Sequence, residues 1–279
     1  MSARGKTLSD VSKKGVRLPE QHIGQPELSR PEWRWHAFIA SHVVAALLIA
    51  SWIMPPFEGM WAVVDELLFK SLNGSLEASR QLQVFWAAAN HRSVDLVSGT
   101  LTTLLVLWWL RSETRDVQNW RCAMLGAVAI PVILAPFFAH WVLEQVFYFE
   151  RPSPTLVYKD ALRLTELVPD LATKDASRYS FPGDHAFVLF SILIFFVYFR
   201  AFIPIVVSVV FAVIFMLPRL VAGAHWLTDN IMGGAVPALV ITAWVLATPF
   251  GYWLAKVLLP VVGWFAGLMP SWLLASKPG

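Results

Sequence analysis

The sequence predicts an all-α integral membrane protein, a bundle of six transmembrane helices with interfacial helices beside it. Three observations lead there. Of 279 residues, 57% are hydrophobic and only 15% charged, with a mean hydropathy of +0.57, whereas a soluble domain is typically about a quarter charged. Six apolar stretches approach the roughly 20 residues that a spanning helix needs. Basic residues gather in every second connection between those stretches, the pattern of cytoplasmic loops.

Residues 1–35 come first and are polar, with Arg4, Lys6, Lys13, Lys14, Arg17, Arg30 and Arg34. This run is too long and too mixed for the charged front of a signal peptide, and no small-residue cleavage site follows the first apolar run. It reads as a cytoplasmic tail without a fold of its own; a short surface helix on anionic lipid is the alternative. The spans are expected at 36–54, 94–110, 122–148, 186–199, 202–217 and 230–248, which with their connections make a catalytic membrane domain over 36–249. With the N-terminus inside, Arg111, Arg115, Arg121 and Arg200 also fall inside, and 55–93, 149–185 and 218–229 fall outside.

Two segments read as interfacial. Residues 57–72 space Phe57, Trp61, Val64, Leu67 and Leu68 as a helix does, with Glu58, Asp65, Glu66 and Lys70 between them, which suits a helix lying in the outer interface. Residues 250–279 are apolar and rich in Trp but interrupted by Lys256, Pro260 and Pro270. An amphipathic, partly inserted helix is expected over 250–275, with a seventh span as the alternative. The 14 Trp suit the membrane interface. One cysteine, Cys122, excludes an intramolecular disulfide and any Cys-rich metal site. The net charge of +3 is modest, and no nucleic-acid partner is expected. No internal repeat or second soluble domain is visible.

The chemistry lies in the connections. Arg219, His225 and Asp229 stand in the spacing Arg-x5-His-x3-Asp; upstream are Ser180-Phe181-Pro182-Gly183-Asp184-His185 and Glu150-Arg151-Pro152. Phosphoryl transfer is mostly positioning and charge stabilisation. Without a metal, guanidinium groups must supply the positive charge, and Arg matches phosphate oxygens with a planar fork. Arg151 and Arg219 fit that role; interfacial snorkelling is the bland reading of each. His225 is the expected nucleophile, since a neutral imidazole can form a phosphohistidine. Asp229, one helical turn later, is expected to accept the imidazole N–H and orient the ring. His185 is the expected general acid. Pro182-Gly183 begins the turn into the next span, so amides there can face an anion. A divalent metal on His185, Asp184, His225 and Asp229 is disfavoured, because two arginines would crowd a cation. No metal and no cofactor are expected.

These residues resemble the type 2 phosphatidic acid phosphatase superfamily, whose signatures are Lys-x6-Arg-Pro, Pro-Ser-Gly-His and Ser-Arg-x5-His-x3-Asp. The likeness covers about 150–229, and the six-span pattern extends it over most of the chain. It implies phosphate binding at Arg151, Arg219, Gly183, Asp184 and Ser180. Three positions depart: Glu144 stands in place of Lys, Gly183-Asp184 in place of Ser-Gly, and Pro218 in place of Ser. Lys174, Arg178 and Arg92 are the basic residues that could replace the missing Lys.

A narrower likeness runs from Thr173 to His185, with Ser153-Pro154-Thr155-Leu156, Arg163, Glu166-Leu167, Gly223-Ala224-His225-Trp226, Thr248-Pro249 and Asn90-His91-Arg92-Ser93-Val94-Asp95. It resembles the lipid A phosphotransferases of the Gram-negative inner membrane. That resemblance implies an undecaprenyl diphosphate donor and a lipid A acceptor. A phosphohistidine forms on the periplasmic face, the lipid A 1-phosphate becomes the 1-diphosphate, and undecaprenyl phosphate is released. Lys174, Arg178, Arg163 and Arg92 would then bind substrate, and the loop 153–178 would hold the acidic head group. A phosphatase with water as acceptor is the second reading, and a non-enzymatic lipid translocator the third. His140 and Glu144, four apart in an apolar stretch, read as a mutually satisfied pair; His42 reads as structural.

Overall fold

The computed structural model describes residues 30–111, 114–146 and 149–268, without the side chains of His140 and Glu144. The expected tail at 1–29, the His140–Glu144 pair and the last residues, 269–279, therefore lie outside the described residues.

Helices account for the regular structure of those residues. The chain runs α1 Trp35–Ile53, α2 Phe57–Gly74, α3 Arg80–Ala89, α4 Ser93–Leu110 and α5 Arg115–Trp141, which continues as a π-helical turn, Val142–Val146. Two one-turn helices follow, α6 Pro154–Val157 and α7 Leu164–Leu167, then α8 Asp184–Tyr198 and α9 Phe202–Val221. The last are α10 Leu227–Asn230, a π turn at Ile231–Ala235, α11 Val236–Leu246 and α12 Pro249–Leu268. Among the described residues six helices are long and apolar enough to cross a membrane: α1, α4, α5, α9, the continuous Leu227–Leu246 segment, and α12; α8 is apolar but shorter, at 15 residues.

A large apolar belt stays exposed, including Leu47, Leu104, Ile133, Phe137, Phe202 and Val213. Contiguous exposed apolar surface on that scale marks a membrane or partner surface. Here that partner is lipid, because the exposed belt lies on helices long and apolar enough to cross a bilayer. Pro131 and Pro136 inside α5 are tolerated in the same environment. Inside the belt, Leu105, Val106 and Trp109 of α4, Ala123, Met124 and Ala127 of α5, and Phe195 and Phe196 of α8 form one buried core, joined by Ala255 and Leu259 of α12.

The two ends of the bundle differ. At one end Arg121 lies over the Trp109 ring at 4.2 Å, Arg34 lies over Tyr198 at 4.4 Å, and the Arg34 amide donates to the Ala247 carbonyl at 2.9 Å. At the other end the connections 55–93, 149–185 and 218–229 pack together. Asn73 donates to the carbonyls of Leu162 at 2.9 Å and Val221 at 3.1 Å, and Asn90 donates to the carbonyl of Lys174 at 2.8 Å. A small core of Leu76, Ala87, Leu164, Val168, Val221 and Ala222 sits beneath this cap.

Two expectations change in detail. The segment 57–72 is helical, as its spacing predicts, but it forms part of the cap: α2 buries Asp65, Phe69 and Asn73. Those two polar residues are buried because each finds partners on another connection, which an isolated amphipathic helix cannot offer. The helix α12 has the length and composition of a span, and it packs on the first half of α5 and against α11. Tyr252 meets Trp120, Leu258 lies beside Gly126, and the Arg115 guanidinium donates to the Ala266 carbonyl. The expected structural role of His42 is seen: its Nδ1 lies 2.8 Å from the Phe38 carbonyl, and its ring packs on Phe38 and near Trp244.

Candidate active site

The cap end holds two clusters of charge. In the first, Arg219 lies in the last turn of α9, His185 in the first turn of α8 and Asp95 in the first turn of α4. The Arg219 Nη2 donates to Asp95 Oδ1 at 2.8 Å and Oδ2 at 3.1 Å, and His185 Nε2 is 2.9 Å from Asp95 Oδ1. His185 Nε2 is also 3.3 Å from Arg219 Nη2. Arg219 is 8% exposed, and a guanidinium that deep needs a nearby anion. Asp95 supplies it, and binds His185 with the same oxygen.

These three residues line a polar cavity of about 560 Å³ together with Asn90, His91, Arg92, Thr173 and Lys174. Two of the four expected substrate-binding residues, Lys174 and Arg92, thus face the cavity beside Arg219 and His185. The other two do not line it. Arg163 donates to the buried Asp175 at 3.1 Å and to Glu166 at 3.3 Å, and Asp175 also accepts from the Thr165 amide and hydroxyl. Its charge is spent on neutralising a carboxylate that would otherwise be buried alone. Arg178 has a 76% exposed side chain, 3.6 Å from Glu150.

The second cluster is built on Asp229, which is fully buried in α10. Asp229 Oδ1 accepts from Arg151 Nη1, and Oδ2 accepts from the Trp226 amide at 2.9 Å. Arg151 Nη2 donates to Asp65 Oδ2 at 2.9 Å and to Thr228 Oγ1 at 2.7 Å. The guanidinium also lies 5.5 Å from the Trp52 ring centre and 5.8 Å from that of Trp226. Asp65 in turn accepts from the Thr228 amide at 3.0 Å and from its hydroxyl. Burial pushes the Asp65 carboxyl above its ordinary range, opposed by the Thr228 hydrogen bonds and the Arg151 charge.

His225 follows Gly223, whose φ of +68° makes the sharp turn after α9; a Cβ there would lie 2.7 Å from Phe69 and Thr155. The His225 Nδ1 is 3.5 Å from Asp229 Oδ2 and makes no hydrogen bond, although it is buried. The expected imidazole-to-Asp229 hydrogen bond is therefore not closed in this geometry; the Trp226 amide holds that oxygen at the shorter distance.

Three expected phosphate contacts are otherwise engaged. The Ser180 hydroxyl and amide both donate to the Arg151 carbonyl, at 2.9 and 2.8 Å, so Ser180 fixes the backbone that carries Arg151. The Gly183 amide donates to the Asp229 carbonyl at 3.1 Å, and a Cβ on Gly183 would come within 2.8 Å of that oxygen. Gly183 thus lets α8 and α10 approach. Asp184 lines a separate cavity of about 430 Å³, with Pro136, Phe181, Phe187, Met232 and Val240 among its apolar walls. Among the described residues no three His, Cys, Asp or Glu side chains gather as a metal site would need.

Asp95 and Asp65 are the carboxylates of these two clusters that sequence reasoning missed. Both were in view, Asp95 in the Asn90–Asp95 run and Asp65 on the polar side of α2. The available signal was electrostatic: two arginines deep in an apolar chain require counter-charges.

Comparison with known proteins follows from this geometry. The PAP2 superfamily model matches residues 120–254. Lipid A 1-diphosphate synthase of Escherichia coli (strain K12) is 32% identical over 209 residues, 75% of this chain and 86% of that protein. No solved structure matches the chain.

Proposed function

The chain belongs to the PAP2 superfamily and is a multi-pass membrane enzyme; from that premise we propose that it moves the terminal phosphate of undecaprenyl diphosphate to lipid A. The product is the lipid A 1-diphosphate, and undecaprenyl phosphate is released. The observation that carries this reading is the cavity of about 560 Å³ into which His185, Arg219, Arg92 and Lys174 converge. Four basic side chains against one carboxylate, Asp95, round one space suit the several phosphate charges of a donor and an acceptor brought together. The printed name of the Escherichia coli relative supports lipid A as acceptor.

In the proposed cycle His225 attacks the terminal phosphorus through Nε2, since Nδ1 faces Asp229. The phosphorus–oxygen bond to undecaprenyl phosphate breaks, and His185 protonates the leaving oxygen when it needs a proton. A phosphate oxygen of lipid A then attacks the phosphohistidine, which restores His225. Arg219 stabilises the charge that develops on the equatorial oxygens. Arg151 acts chiefly by holding Asp229 in place, a change from the clamp expected of it. Lys174 and Arg92 take the part of the Lys missing at position 144.

The cap end is periplasmic in this reading and the protein lies in the inner membrane of a Gram-negative cell. Arg34, Arg111, Arg115, Arg121 and Arg200 at the opposite chain reversals support that orientation. Purified protein given labelled undecaprenyl diphosphate with and without lipid A tests the proposal. Label should appear in lipid A, with a gain of one phosphate in mass. Phosphate released equally fast in both samples, with no gain in lipid A mass, would make the enzyme a phosphatase.

A further inference from the structure

The end opposite the active site carries a second polar-rimmed cavity, of about 720 Å³, between α1, α8 and α11. Its inner wall is apolar and made largely of small or branched side chains, among them Ala40, Ile194, Val197 and Ala243. The rim is basic and aromatic. Arg34, His36 and Arg200 face it, with Glu32 as the acidic residue there. Trp33 and Trp35 stack at 4.5 Å beside them, and Arg34 lies over the Tyr198 ring at 4.4 Å.

Arg200 adds an independent observation. It makes the reversal from α8 to α9 with φ of +51°, a left-handed conformation that favours glycine and costs an L side chain. The chain keeps a long basic residue where its backbone would be better served by Gly. Strain of that kind points to a use for the side chain.

We propose that this cavity binds an anionic phospholipid of the leaflet opposite the reaction. The head-group phosphate is held by Arg34 and Arg200, and an acyl chain lies along the Ala40–Ile194–Ala243 wall. The apolar wall continues into the exposed belt of the bundle, so a lipid reaches it without leaving the bilayer. Trp33 and Trp35 sit at the depth where amphipathic rings meet head groups. The excess of basic over acidic rim residues selects an anionic head group over a zwitterionic one.

The test uses full-length protein in detergent, with phosphatidylglycerol or phosphatidylcholine added, and lipid retention read by native mass spectrometry. Wild type should retain phosphatidylglycerol in preference to phosphatidylcholine. Arg200→Gly should fold at least as well, because it relieves the backbone, yet lose about fivefold in phosphatidylglycerol retention, the share of one basic residue. Arg34→Ala should lose a similar factor, and Arg178→Ala, an exposed Arg at the other end, should lose none. Equal retention of both lipids by wild type overturns the proposal. So does an Arg200→Gly protein that folds and keeps phosphatidylglycerol as wild type does.

Discussion

Asp65 and Arg151 stand 86 positions apart in the chain and meet at 2.9 Å, carboxylate against guanidinium, beneath the cap. Through that pair α2, a helix that does not span, reaches the cluster built on Asp229. Asp65→Ala should leave Arg151 and the Thr228 amide without their shared partner. Arg151 keeps Asp229 as its partner, so the loss is that of hydrogen bonds to a charged group, about 1.5–3 kcal/mol, and thermal unfolding in detergent should start lower than in wild type. Asp65→Asn, which keeps an oxygen for the Thr228 amide, should lose less. An unchanged transition for Asp65→Ala would show that α2 is only resting on the site.

His225→Ala should abolish transfer while the protein still inserts and unfolds at the wild-type temperature. A nucleophile has no substitute, so the loss should reach several orders of magnitude. Labelled undecaprenyl diphosphate gives the readout, and acid-labile label retained on wild type but absent from the variant identifies the phosphohistidine. More than a few per cent of residual turnover would remove His225 from that role.

Lys174→Ala and Arg92→Ala should each lower transfer by about tenfold or more, since hydrogen bonds to charged groups contribute about 1.5–3 kcal/mol. Arg178→Ala should change it little, because its side chain is exposed and does not line the cavity. Arg163→Ala should lower stability more than turnover, because it strands the buried Asp175. Initial rates on a common lipid A concentration series separate these outcomes. Equal losses for Arg178 and Lys174 would contradict the cavity as the acceptor's place.

The sidedness of the site can be read chemically. In a Cys122→Ser background, Lys159→Cys and Lys174→Cys should react with an impermeant thiol reagent added from the periplasm, whereas Ser12→Cys and Arg115→Cys should not. Reaction at Ser12→Cys without reaction at Lys174→Cys would invert the orientation and with it the lipid pool the enzyme meets.

The spans and the His–Arg framework were legible because each is local: an apolar run, or a fixed spacing such as that from Arg219 to Asp229. Hydropathy gave a six-span bundle, although α8 is shorter than the other long apolar helices and α12 matches them in length. The counter-charges were not legible. Asp95 reaches Arg219 across 124 positions and Asp65 reaches Thr228 across 163, and nothing near either Asp in sequence announces its partner. That Arg163 and Arg178 lie off the cavity was not legible for a related reason. A motif lists charges without saying which are already matched, and Asp175 and Glu150 take these two. The close approach of Gly183 to the Asp229 backbone was likewise not legible, since the two lie far apart in sequence.

Asp229 ties its own turn to two distant stretches: its carbonyl receives Gly183, one carboxylate oxygen receives Arg151, and the other receives the amide of Trp226 three residues before it. A substitution there is thus two experiments in one, on the reaction and on the assembly of the site, and kinetics alone cannot separate them. The converse holds for suppressors. A change that restores an Asp229 variant can come from Trp226, three positions back, or from the distant Arg151 segment, the two that its carboxylate holds in register.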